Sequence, residues 1–519
     1  MNPVPDFFIE TLDDPLLDAG TRAFGSLNSA VNASVIDPQT LRAASNMVME
    51  GDGFCRRRPG LAQVIPPGGV PVSCALWYDT QAYEALILCR GGILTAYPAD
   101  TAGYAETPVG ISGLGDGVVP MAQLVETLYA ALPTGGLAWA KFTDGAWVNG
   151  TVTTHDSNGD LPVFSLLGCH GYRLFAAQQG GDTLWVSDIL SADQPISWSP
   201  LRTVRIGTGE GDPITAILSF QEQGLLVLKE HTVWLLDASA ADAGNWAVRK
   251  LTGLAGCIAG RTAVQLGQDV LFLSRLGVMS LSALTRSDSV SSASSVSAPV
   301  RSDIDRISWP LAAGAFAGVW RQHYMLAAPR DSEAKPSYLL SYNTETKMWS
   351  GAWRLPTGSV SSSCVTRMGG RQETMVMTAD GGVWRVDQRI ATDDFGDGYI
   401  ECMAETKSFD WDAGHVGKRL MRLELQMEYR SDADISVSLR PDQGDEVGIE
   451  GLYSLRSRSR LPYTLPLRLD RTEVFRRSWN LRPMLSKPVR EVSVIVRARS
   501  RGSFAFGGAT LSACAEGVR

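Results

Sequence analysis

The sequence predicts an all-β chain: a β-propeller of about seven blades followed by an antiparallel, β-sandwich-like domain. Two observations carry that expectation. Residues 223–237, QGLLVLKEHTVWLLD, read as a β-hairpin, with two apolar runs joined by a polar turn too short for a helix. The same pattern returns at 84–97, 127–139, 172–188, 269–282, 323–342 and 374–387. Its turn positions, Gly92, Gly136, Asp182, His231, Gly277, Tyr338 and Gly382, lie 44, 46, 49, 46, 61 and 44 residues apart. A period of about 40–50 residues is that of four-stranded propeller blades. The long interval holds a Ser-rich stretch around 287–298 and a polar loop at 330–337, which lengthen loops without breaking a blade. Six or eight blades remain open alternatives to seven.

Taken in order, residues 1–34 are expected to form an arm. Phe7, Phe8, Ile9 and Leu12 make it apolar enough to dock, on its own domain or on a neighbouring subunit. The propeller is expected to span 35–390. Pro59-Gly60 marks a turn, and Arg56, Arg57 and Arg58 read as a solvated edge. A propeller must close its ring, so 54–65 is expected to be the closing strand or an outer strand of the first blade. Segments 71–79, 144–152, 212–220, 260–267, 313–321 and 361–368 read as outer strands between the hairpins. Helix is confined to a short connection at 300–309. Trp185, Trp234 and Trp384 share one register in their hairpins and are expected in the blade cores. After a Gly/Asp linker at 391–398, segments 419–430, 435–441, 491–500 and 503–512 alternate with period two. They define a C-terminal domain at 391–519 carrying a long, arginine-rich loop at 442–489.

Composition narrows the function. With 519 residues, 44% apolar and 20% charged, the chain can build a large core. No apolar run is long enough for a membrane helix. The N-terminus lacks the basic start and apolar centre of a signal peptide, so folding in a cytosol is expected. Eight dispersed cysteines without CxxC spacing are expected to be buried thiols. The net charge of −8 is uneven: 400–519 carries 20 basic against 16 acidic residues, leaving −12 on the remainder. Within 452–501 there are 13 basic and 3 acidic residues, and all but one of the basic ones are arginine. Arg456, Arg458, Arg460, Arg476 and Arg477 are therefore candidate interface residues, since guanidinium suits bidentate pairing with carboxylate or phosphate.

Signals for catalysis are weak. The five histidines stand apart, with no zinc-ligand spacing. Residues 156–160 resemble half a calcium loop without its closing glutamate. Thr378 to Trp384 approaches a sialidase-type Asp-box but is one residue short and occurs once. Gly207 to Gly211 lacks the lysine and helix of a phosphate loop. Asp393, Asp394 and Asp397 read as a polar turn. No catalytic, cofactor-binding or metal residue is assigned, and the chain is not expected to be an enzyme.

The order of phrases resembles the tail nozzle or tail hub proteins of short-tailed bacteriophages, also called packaged-DNA stabilisation proteins. The matching residues are Asn46 and Glu50, Pro59-Gly60-Leu61, 171–176, 186–188 with 196–198, 211–217, 225–233 and 256–263. They continue with 270–274, Gly277-Val278, 342–344, Met348-Trp349 and 392–394. The resemblance implies a structural virion protein, assembled in host cytoplasm and resident in the tail. Six copies would form a ring below the portal and its adaptor, with tail fibre or needle proteins as further partners. That ring would retain packaged DNA and conduct it, without sequence preference, at ejection. The alternatives are a glycan-binding or glycan-cleaving propeller enzyme and a cellular propeller serving as a protein-binding platform.

Overall fold

The computed structural model divides into two units, one of residues Leu61–Leu340 and Arg354–Asp387, the other of Met1–Gly60, Ser341–Trp353 and Gln388–Arg519. It describes residues 17–515 apart from 22–23, 31–34, 100–104, 191–195, 221–223, 241–242, 287–294, 356–357, 369, 388–389, 391, 395–397, 430–432, 450–452, 456–472 and 482–486. Most of the expected arm, with Phe7, Phe8, Ile9 and Leu12, lies outside the described residues, as does Asp397.

The first unit is the propeller. Every hairpin read from the sequence is present, and five of the seven form the middle pair of strands of a four-stranded sheet. Blade one runs Val72–Asp79, Glu84–Arg90, Ile93–Pro98 and Thr107–Pro108. Blades two to four repeat this plan in antiparallel order, blade four holding Ile214–Phe220, Gly224–Lys229, Val233–Asp237 and Ala247–Thr252. Blade five has three strands, from Val264–Leu266 to Gly277–Ser280, and ends in a single helical turn, Leu281–Leu284. Blade six contributes Phe316–Trp320, His323–Ala327 and the start of Tyr338–Asn343, while residues 341–353 of its last hairpin belong to the other unit. Blade seven runs Val360–Met368, Arg371–Thr378 and Val383–Asp387, and its fourth strand is Gly60–Ile65. The expected closing role of 54–65 thus falls to residues 61–65 within this unit.

One sequence expectation changes here. The segments read as outer strands are, except for 144–152, the first strands of their sheets. These first strands touch one another from blade to blade in an unbroken circle, with Gly260–Thr262 standing in at blade five. They line the ring's inside because their small residues let seven sheets converge. Gly168, for example, leaves room for Ile217 of the next blade. Between blades the cores are apolar: Ile65, Val72, Leu86, Leu88, Met375, Met377 and Val383 fill the join of blades seven and one. The expected helix is Arg301–Asp305, flanked by 3-10 turns.

The second unit is a two-sheet sandwich. One sheet has the order Glu473–Asn480, Lys418–Tyr429, Phe504–Ala515, Cys55–Arg57, Met47–Met49, with Leu17–Thr21 also on Phe504–Ala515. In the other, Thr40–Ser45, Ile400–Thr406, Val492–Ser500, Ala433–Pro441 and Val447–Gly448 lie side by side. Alternation sets the core: Leu423, Leu425, Met427 and Tyr429 are buried, and the neighbouring Arg422 and Glu424 are exposed. Phe24 packs on Phe506 with ring centroids 4.8 Å apart.

This division departs from the boundaries expected at 35–390 and 391–519. Residues 35–60 pair inside the sandwich, and so does the inserted segment 341–353. The insertion is held tightly. Ala352 pairs with Ser45, the Trp353 indole donates to Met47 O at 3.0 Å, and the Met49 N–H donates to Ser350 Oγ at 3.1 Å. At Gly351 (φ +93°) a Cβ would sit 2.5 Å from the Ala44 carbonyl, so only glycine permits this approach. The expected long loop 442–489 also contains an edge strand, Glu473–Asn480, paired to Lys418–Tyr429.

Candidate functional site

Polar groups gather at three places, the first in the hairpin of 223–237. Lys229 ends an apolar strand and is completely buried. Its ammonium lies 3.1 Å from Asp212 Oδ1 and 3.8 Å from Glu210 Oε2, and donates to the Ile206 carbonyl at 3.2 Å. Glu210 also receives Lys250 Nζ at 2.6 Å and the Thr232 hydroxyl at 3.1 Å. Thr232 in turn accepts the Trp234 indole N–H at 2.9 Å. The hydrogen bond from Lys250 dominates in holding the Glu210 carboxyl below its usual range. Burial alone would raise Asp212, but the His231 N–H and the Lys229 ammonium together hold it low. The glycine-rich stretch 207–211 lets the loop wrap this cluster: a Cβ on Gly207 (φ +63°) would meet Glu210 and the Trp234 ring within 3 Å. The group is an ion-pair network, buried at Lys229 and open to solvent at Lys250, that anchors the loop to blade four. His231 stays exposed in the turn, its Nδ1 3.6 Å from Asp212.

The second place lies in the sandwich unit and corrects two expectations. Arg58 is 2% exposed and Asp393 4%, so neither is a solvated edge or a polar turn. They meet in a bidentate pair at 2.9 and 2.7 Å. Arg58 Nε donates to Asn46 Oδ1 at 3.0 Å, and Asn46 Nδ2 donates to Glu401 O at 2.7 Å. Asn46 is left-handed (φ +54°), which turns its amide inward. Burial also pushes the neighbouring Arg57 guanidinium down to about 10. Arg56 and Arg57 are half-buried, and Arg56 pairs with Asp52.

The third is a surface cavity of about 290 Å³ in the sandwich unit, lined by Ala19, Gly20, Pro38, Lys407, Phe409, Asp410, Trp411 and Asp412. No sequence signal pointed to it, because its walls come from three separate stretches, 19–20, 38 and 407–412.

The expected blade-core tryptophans do share one register, opposite Ala176, Val227 and Val376. They differ in depth. Trp384 is 1% exposed, whereas Trp185 and Trp234 are half-buried at the margins of their cores. The Asp-box-like stretch at 378–384 is a turn in which Asp380 accepts the Gly382 N–H at 3.1 Å. All eight cysteines are free thiols, and five are buried. Among the candidate arginines, Arg476 and Arg477 are exposed on Glu473–Asn480, with Arg477 5.5 Å from the Trp479 ring. Arg456, Arg458 and Arg460 lie outside the described residues. Among those described, no group of three or more His, Cys, Asp or Glu is arranged to hold a metal, and no helix is long and apolar enough to cross a membrane.

No protein-family model matches the chain. No curated protein matches it either. Among solved structures, it is similar to PorZ, a bacterial surface component of the type-IX secretion system of Porphyromonas gingivalis, at 15% identity and a TM-score of 0.38. That likeness covers 67% of this chain and 43% of PorZ.

Proposed function

We propose that this chain is a structural protein of a short-tailed phage tail, six copies of which form a ring that extends the DNA channel below portal and adaptor. In this reading it retains packaged DNA, conducts it at ejection, and performs no catalysis. One observation carries the reading. The resemblance rests on the order of phrases as far apart as Asn46, Pro59-Gly60-Leu61 and 392–394. Asn46, Asp393 and Arg58, the residue before Pro59, belong to one buried network. Turn phrases matched by chance have no reason to converge on one fold-defining contact.

Charge supports the same reading. A body at −12 disfavours adhesion of DNA to a channel wall. An arginine-rich terminal segment suits acidic surfaces of neighbouring subunits or of the adaptor.

The test is electron microscopy of the purified chain, alone and with a portal–adaptor complex. Six-fold rings are expected. A strictly monomeric particle under both conditions would overturn the reading.

A further inference from the structure

We propose that Cys74 and Cys89 are a redox-sensitive dithiol, which hydrogen peroxide converts to a cross-strand disulfide within blade one. The proposal is independent of the ring-forming role. It starts from register: Cys74 on Val72–Asp79 stands directly opposite Cys89 on Glu84–Arg90. Direct partners on an antiparallel pair lie about 4.5–5.5 Å apart at Cα, inside the span of about 4.4–6.8 Å that disulfides bridge. Both side chains belong to one core cluster, so they leave the sheet on the same face. Among the described residues, no other cysteine has a cysteine as its strand partner.

The surroundings favour an anion on this pair. A register shift between Val72 and Cys74 leaves Ser73 as an extra residue, its hydroxyl 3.8 Å from the Cys74 sulfur. The Cys74 thiol leads in bringing Cys89 down to about 7 against burial, with Ser73 and the Gly92 N–H adding to it. Cys89 and burial raise Cys74, and the Val119 N–H opposes them. The two sulfurs thus titrate as one unit, and the charge left by the first proton is shared between them. Arg261, on the inner circle in blade five, supplies a cation. Its Nη2 donates to Ser361 O at 3.0 Å and Ser362 Oγ at 2.9 Å, both neutral acceptors of blade seven. Burial lowers its guanidinium, and the charge of Cys74 opposes that fall. Arg261 pairs with no carboxylate among the described residues, so a thiolate at Cys74 is the anion its position suits.

Exposure sets the oxidant and the order of events. Cys74 keeps 7% of its surface and Cys89 none, so a small oxidant is required and Cys74 meets it first. Hydrogen peroxide is little larger than water. The Cys74 thiolate attacks one peroxide oxygen: an S–O bond forms, the O–O bond breaks, and the departing hydroxide takes the Cys89 proton to become water. The Cys89 thiolate then attacks the Cys74 sulfur: the S–S bond forms, the S–O bond breaks, and the second hydroxide leaves as water with a proton from solvent. Two thiols are oxidised and one peroxide is reduced to two waters. The product ties the innermost strand of blade one, which touches that of blade seven, to its neighbour in the sheet.

The experiment treats the full, folded chain with hydrogen peroxide, alkylates it in denaturant and measures the masses of its tryptic peptides. Residues 59–89 hold no Lys or Arg, so both cysteines fall on one peptide ending at Arg90. That peptide is expected to be two hydrogens lighter and unalkylated, and dithiothreitol is expected to restore both alkylation sites. Chymotryptic cleavage between them, at Trp77, Tyr78 or Tyr83, verifies the bond. Cys89→Ser is expected to abolish the mass loss and leave a sulfenic acid at Cys74 that dimedone traps. Arg261→Met is expected to slow disulfide formation severalfold and Arg261→Lys to restore most of the rate, with a cooperative melt verifying that each variant folds. Peroxide that oxidises Cys169, Cys364 or Cys514 while Cys74 and Cys89 stay open to alkylation would overturn the proposal. So would a mass loss that appears only in urea, or one that survives in Cys89→Ser. Equal rates in the parent and Arg261→Met would overturn the part given to the guanidinium.

Discussion

Replacing Arg58 by methionine separates a structural ion pair from an incidental one. The wild-type pair is about as buried as a pair can be, with side chains 3% exposed on both partners. Removing the guanidinium takes two donors from Asp393 and one from Asn46. The buried carboxylate then loses its bidentate counter-charge, with only Arg57 still within electrostatic reach among the cations named above. Removing one partner of a buried pair costs about 3–5 kcal/mol, because the survivor keeps its desolvation penalty. Arg58→Lys should fall between, since a point charge cannot span both carboxylate oxygens. Combining Arg58→Met with Asp393→Asn removes both charges, and it should cost less than the sum of the single changes by about 2 kcal/mol or more, within the range of couplings for groups in contact. Urea unfolding followed by circular dichroism gives the stabilities, and hydrogen exchange at residues 46–58 localises the loss. Strict additivity, or a loss below about 1 kcal/mol for Arg58→Met, would refute the reasoning.

Two further outcomes follow from burial and charge. Trp384→Ala should destabilise by about 3–5 kcal/mol, as truncation of a fully buried aromatic does, and Trp234→Ala by roughly half as much because its ring is half-buried; equal losses in denaturant melts would contradict the difference in depth. Glu446 is held down to about 2, first by the hydrogen bond from Arg497 and then by the charges of Arg497 and Arg440, with Ser438 adding a further bond. Its folded pKa lies below its unfolded one, so the stability it contributes is complete above the ordinary value of 4.5 and is lost as pH falls towards 2. Glu446→Gln should therefore be less stable than the parent at pH 6 and converge with it near pH 2. A constant gap across that range would show that the carboxylate's charge is not what matters.

The propeller was legible because its signal is local. Each hairpin carries its own alternation and turn, and repetition at a near-constant period multiplies a weak pattern into a fold. What was missed depends on distance along the chain. Nothing within segment 341–353 says that Gly351 must pass against Ala44. Residues 35–60 have the same half-buried alternation as a blade strand, so the pattern cannot tell which sheet will receive them. Arg58 looked solvated because its partner, Asp393, lies 335 residues away. Lys229 was passed over for His231 and Trp234, although it is the buried member of that hairpin and its acceptor Asp212 stands in the preceding strand connection. The cavity was invisible for the same reason, since its lining joins residues 19–20 and 38 to 407–412.

The fourth strand of blade seven has a consequence for time rather than for stability. Residues 61–65 leave the ribosome long before Val383–Asp387, the strand they pair with. At about 5–20 residues per second that partner follows roughly 16–60 seconds later. Through that interval the early strand has no neighbour, and the six blades made first form an open arc. Closing the arc joins residues more than 300 positions apart, which makes it the natural slow step of synthesis. Until then the nascent chain offers an unpaired β edge at each end of the arc, the form in which two incomplete chains would most readily exchange strands.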